Sequence, residues 1–233
     1  MKLTDRKFVL YDESVAVEKY LLEKLARTCI KNSRYDFTGG QSGGKYFDVD
    51  SFYSFTEQNK TEENDGKDLV DLIVRKIKFL CEEVGVQIDK LAFLDRDTGP
   101  VGMIAYKSFV ENVLNEAELS LDTCVIRPSK RLLSSCLKGR ALKDGEKIAV
   151  FNDVSTDGDA ILEAAGKIWQ LGGEVSCAIV VFDRCDGARE NLAQYDIDLY
   201  ALFDTTKLTE DQDESSNHIP NNTERFVGAI VTS

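Results

Sequence analysis

The chain has a single histidine among 233 residues, His218, and it lies in a polar stretch near the carboxyl end. Histidine-based acid/base catalysis, including the Ser-His-Asp and Cys-His forms, is excluded unless that stretch folds back. The six cysteines, at positions 29, 81, 124, 136, 177 and 185, include no CxxC pair and no histidine nearby. Zinc needs clustered ligands, so this spacing argues against a metal-thiolate site. Cys29, Cys81, Cys124 and Cys177 fall on apolar faces of expected helices or strands, where a free cysteine acts as a small hydrophobe. No apolar run approaches the roughly 18 residues needed to cross a bilayer, and Met1-Lys2-Leu3-Thr4-Asp5 does not open a signal peptide. Positive charge is also scarce: 29 Lys and Arg face 41 Asp and Glu, a net charge of -12. That balance argues against a broad basic face for nucleic acid or an anionic membrane. A soluble, cytoplasmic domain is expected, with one core and an extension.

The amino-terminal residues 13–30 read as an amphipathic helix, with Val15, Val17, Leu21, Leu22, Leu25 and Cys29 mostly on one face. The Gly-rich residues 39–44 suit a hairpin between short strands better than a phosphate loop, and Phe47 just after them either packs on a planar base or fills the core. Residues 56–67, TEQNKTEENDGK, are a polar surface excursion. Helical spacing returns over 68–84 with Leu69, Leu72, Ile73, Ile77, Leu80 and Cys81, and residues 90–94 are the following strand. A helix over 102–117 and a strand over 123–127 continue the alternation, which implies a parallel sheet with right-handed crossovers. Residues 209–224 are polar and expected to be loosely held, whereas the apolar run 226–231, FVGAIV, can return as an edge strand or dock on a partner.

The stretch KIAVFNDVSTDG, residues 147–158, carries the most chemistry. Ile148 to Phe151 read as a buried strand and residues 160–171 as a helix, which puts Asn152 to Gly158 at a strand's carboxyl end and a helix's amino end. Ligands of open α/β sheets bind there. The exposed amides of a helix's first turn attract an anion, and a carboxylate just before them can hold ribose hydroxyls or a metal-associated water. A sugar phosphate satisfies both.

On these residues the chain resembles the type I phosphoribosyltransferases, whose signature is an apolar strand, two acidic residues, a Thr/Ser-rich turn and a glycine. The run EVSCAIVVFDRCDGARENLAQYDIDLYALFDTTKL, residues 174–208, is similar to the orotate phosphoribosyltransferase branch in particular. So are FTGGQSGGKYFDVDSF, as an amino-terminal hood, and DKLAFLDRDTGPVGMIAY, as a first core strand and pyrophosphate loop. The resemblance spans roughly residues 15 to 208. It implies a parallel sheet flanked by helices with a small hood, and three parts: hood region 1–66, phosphoribosyltransferase-like core 67–208, and polar tail 209–233. It further implies that Asp153 holds a ribose diol and the turn Ser155, Thr156, Asp157 and Gly158 a 5′-phosphate, with Arg184 reading the carboxylate of an acidic base. A fork of guanidinium bonds suits that last task; the other reading of Arg184 is an ion pair with Asp183 or Asp186. Arg127, Lys130 and Arg131 would belong to a loop shared across a homodimer interface, with Mg2+ riding on the diphosphate.

Several positions depart from the family pattern. The paired acids are Asn152-Asp153, leaving one carboxylate. The Thr-Thr-Gly turn reads Thr156-Asp157-Gly158, and unless Asp157 turns outward a fixed negative charge beside a phosphate is worth about 4 kcal/mol at an effective dielectric near 20, roughly several hundredfold in affinity. In the loop, Pro128 replaces a basic residue, no histidine follows, and Leu132-Leu133 make it apolar. Asp95 and Asp97 put carboxylates where a pyrophosphate should land; they either support magnesium through water or cap a helix beginning near Val101. Asp153, Ser155 and Thr156 likewise either meet the ligand or cap the next helix.

Three functions fit: an active enzyme moving ribose 5-phosphate from phosphoribosyl pyrophosphate (PRPP) to orotate; a descendant that binds a ribose-phosphate, nucleotide or base ligand with transfer weakened or lost; or an interaction protein with an empty cleft. The substitutions around the substrate's charges favour the second.

Overall fold

The computed structural model describes residues 17–25, 27–28, 30–36, 42–47, 65–94, 121–127 and 136–204. A helix over 17–25 (α1) is followed by the antiparallel pair β1 (Ile30–Asp36) and β2 (Ser42–Phe47). Then come α2 (Asp65–Phe79), a π-helical turn (Leu80–Val84), β3 (Lys90–Leu94), β4 (Asp122–Ile126) and β5 (Leu137–Gly139). The remainder is β6 (Lys147–Ser155), α3 (Asp159–Gln170), β7 (Glu174–Asp183), α4 (Ala188–Ala193) and β8 (Leu199–Asp204).

Six strands form the main sheet in the order β5-β4-β3-β6-β7-β8. All its pairs are parallel except β4 with β5. Both faces are covered, which explains why β3 is buried at every position and β6 from Ile148 to Ser155. On one face Leu69, Ile73, Ile77 and Leu80 pack with Phe93, Phe151, Ile179 and Val181, joined by Leu21 and Leu25 of α1. On the other, α3 presents Ile161, Ala164, Ala165 and Ile168 at helical spacing, and α4 adds Ala188 and Leu192, all against Val150 and Val180. Each fully buried isoleucine contributes about 1.5–3 kcal/mol of transfer free energy. The α3-to-β7 turn depends on Gly173: a Cβ there would stand 2.9 Å from Ile168 Cγ2 and 3.1 Å from Leu142 Cδ1.

At the amino ends of β3 and β4, Lys90 is fully buried and its Nζ lies 3.1 Å from Glu146 Oε2 and 3.6 Å from Asp122 Oδ2. Arg140 joins the same two carboxylates from the solvent side. At the outer surface Trp169, near the end of α3, and Tyr195, just beyond α4, stack with ring centroids 6.2 Å apart.

The alternation of strands and helices and the hairpin around the Gly-rich run are as the sequence predicts. Two boundaries are corrected: Ile30 opens β1 rather than closing the first helix, because its neighbours pair with β2, and α2 begins at Asp65, inside the expected polar excursion. Cys124 and Cys177 are buried, and Cys81 is half-buried against the cluster that contains Cys177; Cys29 lies outside the described residues. The expected helix over 102–117 and the tail 205–233 lie outside the described residues. Among the described residues no helix is long and apolar enough to cross a membrane.

Candidate functional site

The chain's acidic and hydroxyl cluster sits at the carboxyl edge of the sheet, where β6 and β7 end side by side. Ser155 pairs in register with Asp183, and the next amide, Arg184 N, donates to Ser155 O at 2.9 Å. The turn after β6 and the turn after β7 are therefore neighbours. This brings Ser155, at the head of the Thr156–Gly158 turn, beside Arg184 in space, although 29 residues separate them in sequence.

Strand β6 runs farther than its apolar residues predict, through Ser155, so Asn152 and Asp153 are strand residues and only Thr156 to Gly158 make the turn. Asn152 is buried, and its Nδ2 donates to Val154 O at 2.7 Å. Asp153 is also buried, and its Oδ1 accepts the Val154 amide at 2.7 Å rather than capping α3. Ser155 Oγ is buried with no hydrogen-bond partner among the described residues, at 2% exposure. Such a hydroxyl costs about 1–3 kcal/mol unless water or a ligand serves it.

Asp157 is exposed, and its Oδ1 accepts the amide of Asp159, the first residue of α3, at 3.1 Å. Gly158 follows with φ +86°, a left-handed conformation that swings the chain into the helix. A Cβ at Gly158 would meet Leu192 Cγ at 3.3 Å and Ala188 O at 3.4 Å, so the turn lies directly on α4. Asn191 completes the clasp, its Nδ2 donating to Asp157 O at 2.8 Å.

Arg184 pairs with Asp186, NH2 to Oδ2 at 3.2 Å, and its side chain retains 16% exposure. Asp183 has a different partner: fully buried, it accepts Arg189 Nε at 2.7 Å and the Cys185 amide at 2.9 Å. Arg127 ends the β4 segment with its amide bonded to Cys136 O at 2.7 Å. Asp95, Asp97, Lys130 and Arg131 lie outside the described residues. Among the described residues no three acidic, cysteine or histidine side chains gather into a set able to hold a metal ion. Arg189 and Asn191 were not singled out from sequence; both sit in the DR-x-x-G-x-x-ENL run, whose spacing was the signal available.

The mostly parallel sheet, with the turn after β6 and the DR loop after β7 side by side at its carboxyl edge, is that of the type I phosphoribosyltransferase fold. Orotate phosphoribosyltransferases are among the chain's sequence relatives. That of Pyrococcus furiosus is 26% identical over 194 residues, covering 80% of this chain and 91% of the relative. That of Methanocaldococcus jannaschii is 38% identical over 71 residues, covering 30% of this chain and 40% of the relative. No protein family's sequence profile matches the chain. Among solved structures, orotate phosphoribosyltransferase from Aeropyrum pernix superposes with a TM-score of 0.60 at 19% identity, covering 84% of this chain and 99% of that one. The Mycobacterium tuberculosis enzyme in complex with PRPP gives 0.58 at 18% identity, covering 83% and 99%.

Proposed function

We propose that this orotate phosphoribosyltransferase-like protein binds a ribose-phosphate or nucleotide-type ligand at the carboxyl edge of β6, with ribosyl transfer from PRPP weakened or lost. The observation that carries this reading is the conformation of Asn152. Its side chain is an uncharged amide bonded to Val154 O at 2.7 Å, so Asp153, whose Oδ1 also accepts the Val154 amide, is the pair's one carboxylate for a ribose diol. Ribosyl transfer proceeds through a transition state stabilised by electrostatics and positioning, and halving the anionic support acts on that step more than on binding. The unpartnered Ser155 hydroxyl supports ligand binding at the same turn.

Magnesium, if used, would arrive with the diphosphate, with Asp95 and Asp97 placed in sequence to support it through water. A homodimer in the cytoplasm is the accompanying reading, because the resemblance implies a loop shared between subunits. Sedimentation across micromolar concentrations should return a dimer.

The test is calorimetric titration of the full chain with PRPP and magnesium, followed by incubation with orotate and chromatography for orotidine 5′-monophosphate. PRPP binding weaker than about 100 μM and no product are expected. Tighter binding with steady turnover would establish the active enzyme instead.

A further inference from the structure

The first amide of α3 is already bonded to a side chain of this chain. Ile161 and Leu162 amides both donate to Gly158 O at 3.0 Å. The Asp159 amide donates to the Asp157 carboxylate at 3.1 Å. The first helical residue, Asp159, brings a second exposed carboxylate to the same turn. A helix terminus offers an incoming anion its unpaired amides and its positive dipole end. Here one of those amides is occupied by an internal anion, and two carboxylates complement the dipole.

The position of that internal anion is set by backbone contacts. Asn191 Nδ2 holds Asp157 O at 2.8 Å, and Gly158 is pressed against Ala188 and Leu192. The side chain of Asp157 thus leaves a backbone held against α4 and turns back to the first amide of α3. Ser155 Oγ, in the last strand residue before the turn, is buried and without a partner among the described residues. It is a neutral group, able to serve a hydroxyl as readily as an anionic oxygen.

We infer that Asp157 is a specificity residue that occupies the phosphate position with its own carboxylate, so the cleft prefers a nucleoside or free base over the corresponding 5′-phosphate. This inference rests on the proposed ligand class and narrows it: the ribose and base ends of a nucleotide-type ligand are accepted, the phosphate end is not. Any phosphorylated ligand must displace Asp157 from the Asp159 amide and then sit beside its charge. Both effects act against phosphate and neither touches an uncharged ribose hydroxyl.

The test compares orotidine, orotidine 5′-monophosphate and inorganic phosphate as calorimetric ligands for the full chain and for Asp157→Asn and Asp157→Thr, each variant first shown to melt cooperatively. The wild type should bind orotidine at least as tightly as its monophosphate and take up no inorganic phosphate at millimolar concentration. Asp157→Asn removes the charge but keeps an oxygen for the Asp159 amide, and should gain a few-fold for the monophosphate. Asp157→Thr should gain at least roughly tenfold, with orotidine affinity unchanged. A wild type that binds the monophosphate tenfold more tightly than orotidine, with no gain in Asp157→Thr, overturns the inference while the proposed ligand class stands. Failure of both the nucleoside and its monophosphate to bind any of the three proteins overturns the ligand class and the inference together.

Discussion

Lys90 and Glu146 form a buried ion pair, Nζ to Oε2 at 3.1 Å, with the two side chains 0% and 4% exposed. The pair ties the amino end of β3 to the residue before β6, at the end of the strands opposite the candidate site. The remaining capacity of both groups is used: Lys90 Nζ also reaches Arg140 O at 3.4 Å, and Glu146 Oε2 accepts the Lys143 amide at 3.0 Å.

Breaking such a pair from one side leaves a charge without its partner inside the protein. Lys90→Met should cost about 3 kcal/mol, the lower end for buried pairs, because Arg140 still neutralises Glu146. Urea unfolding measures it, and a Lys90→Met/Glu146→Leu double variant should recover much of the loss. Equal instability of single and double variants would show that packing rather than charge is at stake.

The same cluster makes the fold sensitive to acid. Burial by itself would raise the Glu146 carboxyl, but the Lys143 amide, Lys90 and Arg140 outweigh it and hold it below the ordinary range. Burial likewise opposes, and Arg140, the Thr123 amide and Lys90 outweigh it, at Asp122. Folded values below the unfolded ones mean stability that is present above the unfolded carboxylate range and lost as pH falls through the folded values. Unfolding free energy should therefore decline below about pH 4. Glu146→Gln should flatten that decline; an unchanged slope would assign the acid sensitivity elsewhere.

Arg189 anchors α4 to the end of β7 through the fully buried Asp183, while half of its own side chain meets solvent. Arg189→Ala strands that carboxylate with the Cys185 amide at 2.9 Å as the other bond the structure shows on it. A loss of about 2 kcal/mol is expected, less than for a wholly buried pair because of solvent screening on the arginine side. Thermal melting of Arg189→Ala against Arg189→Lys checks it, with lysine restoring part of the loss.

Gly158→Ala should destabilise by roughly 1–2 kcal/mol from the left-handed backbone alone. The Cβ would also press on Leu192 Cγ at 3.3 Å. Hydrogen exchange at the α3 amino end should accelerate in this variant; wild-type protection there would mean that the turn does not depend on its glycine.

Arg184 stands beside the β6 turn, with Asp186 as an ion-pair partner at 3.2 Å. If it reads an acidic base, Arg184→Ala should weaken orotate by at least tenfold more than it weakens uracil, which lacks the carboxylate. Truncating one side of a buried charge pair typically costs about 2–5 kcal/mol. Equal losses for both bases would leave Arg184 with its surface ion pair alone.

The sheet was legible in the sequence because its strands are buried on both faces and so read as unbroken apolar runs, Ile148 to Phe151 above all. The helix α3 was legible because Ile161, Ala164, Ala165 and Ile168 keep one face. What the sequence could not show was how polar side chains divide between ligand and chain. Asn152 and Asp153 read as residues beyond the strand, facing a ligand or a helix end, yet they belong to β6 and both bond to Val154. Asp157 read as a charge beside a bound phosphate unless it turned outward, whereas it is exposed and accepts the first amide of α3. Hydrogen bonds of one or two residues' range carry no periodicity, and the support of Asn191 comes from 34 residues away.

Trp169 is the one tryptophan of the chain, 42% exposed, and it leans on Tyr195 across the gap between α3 and the turn after α4. These are the same two helices that carry and clasp the Asp157 turn. The protein therefore contains an intrinsic fluorophore, and any ligand that shifts α4 against α3 will alter its emission without a label.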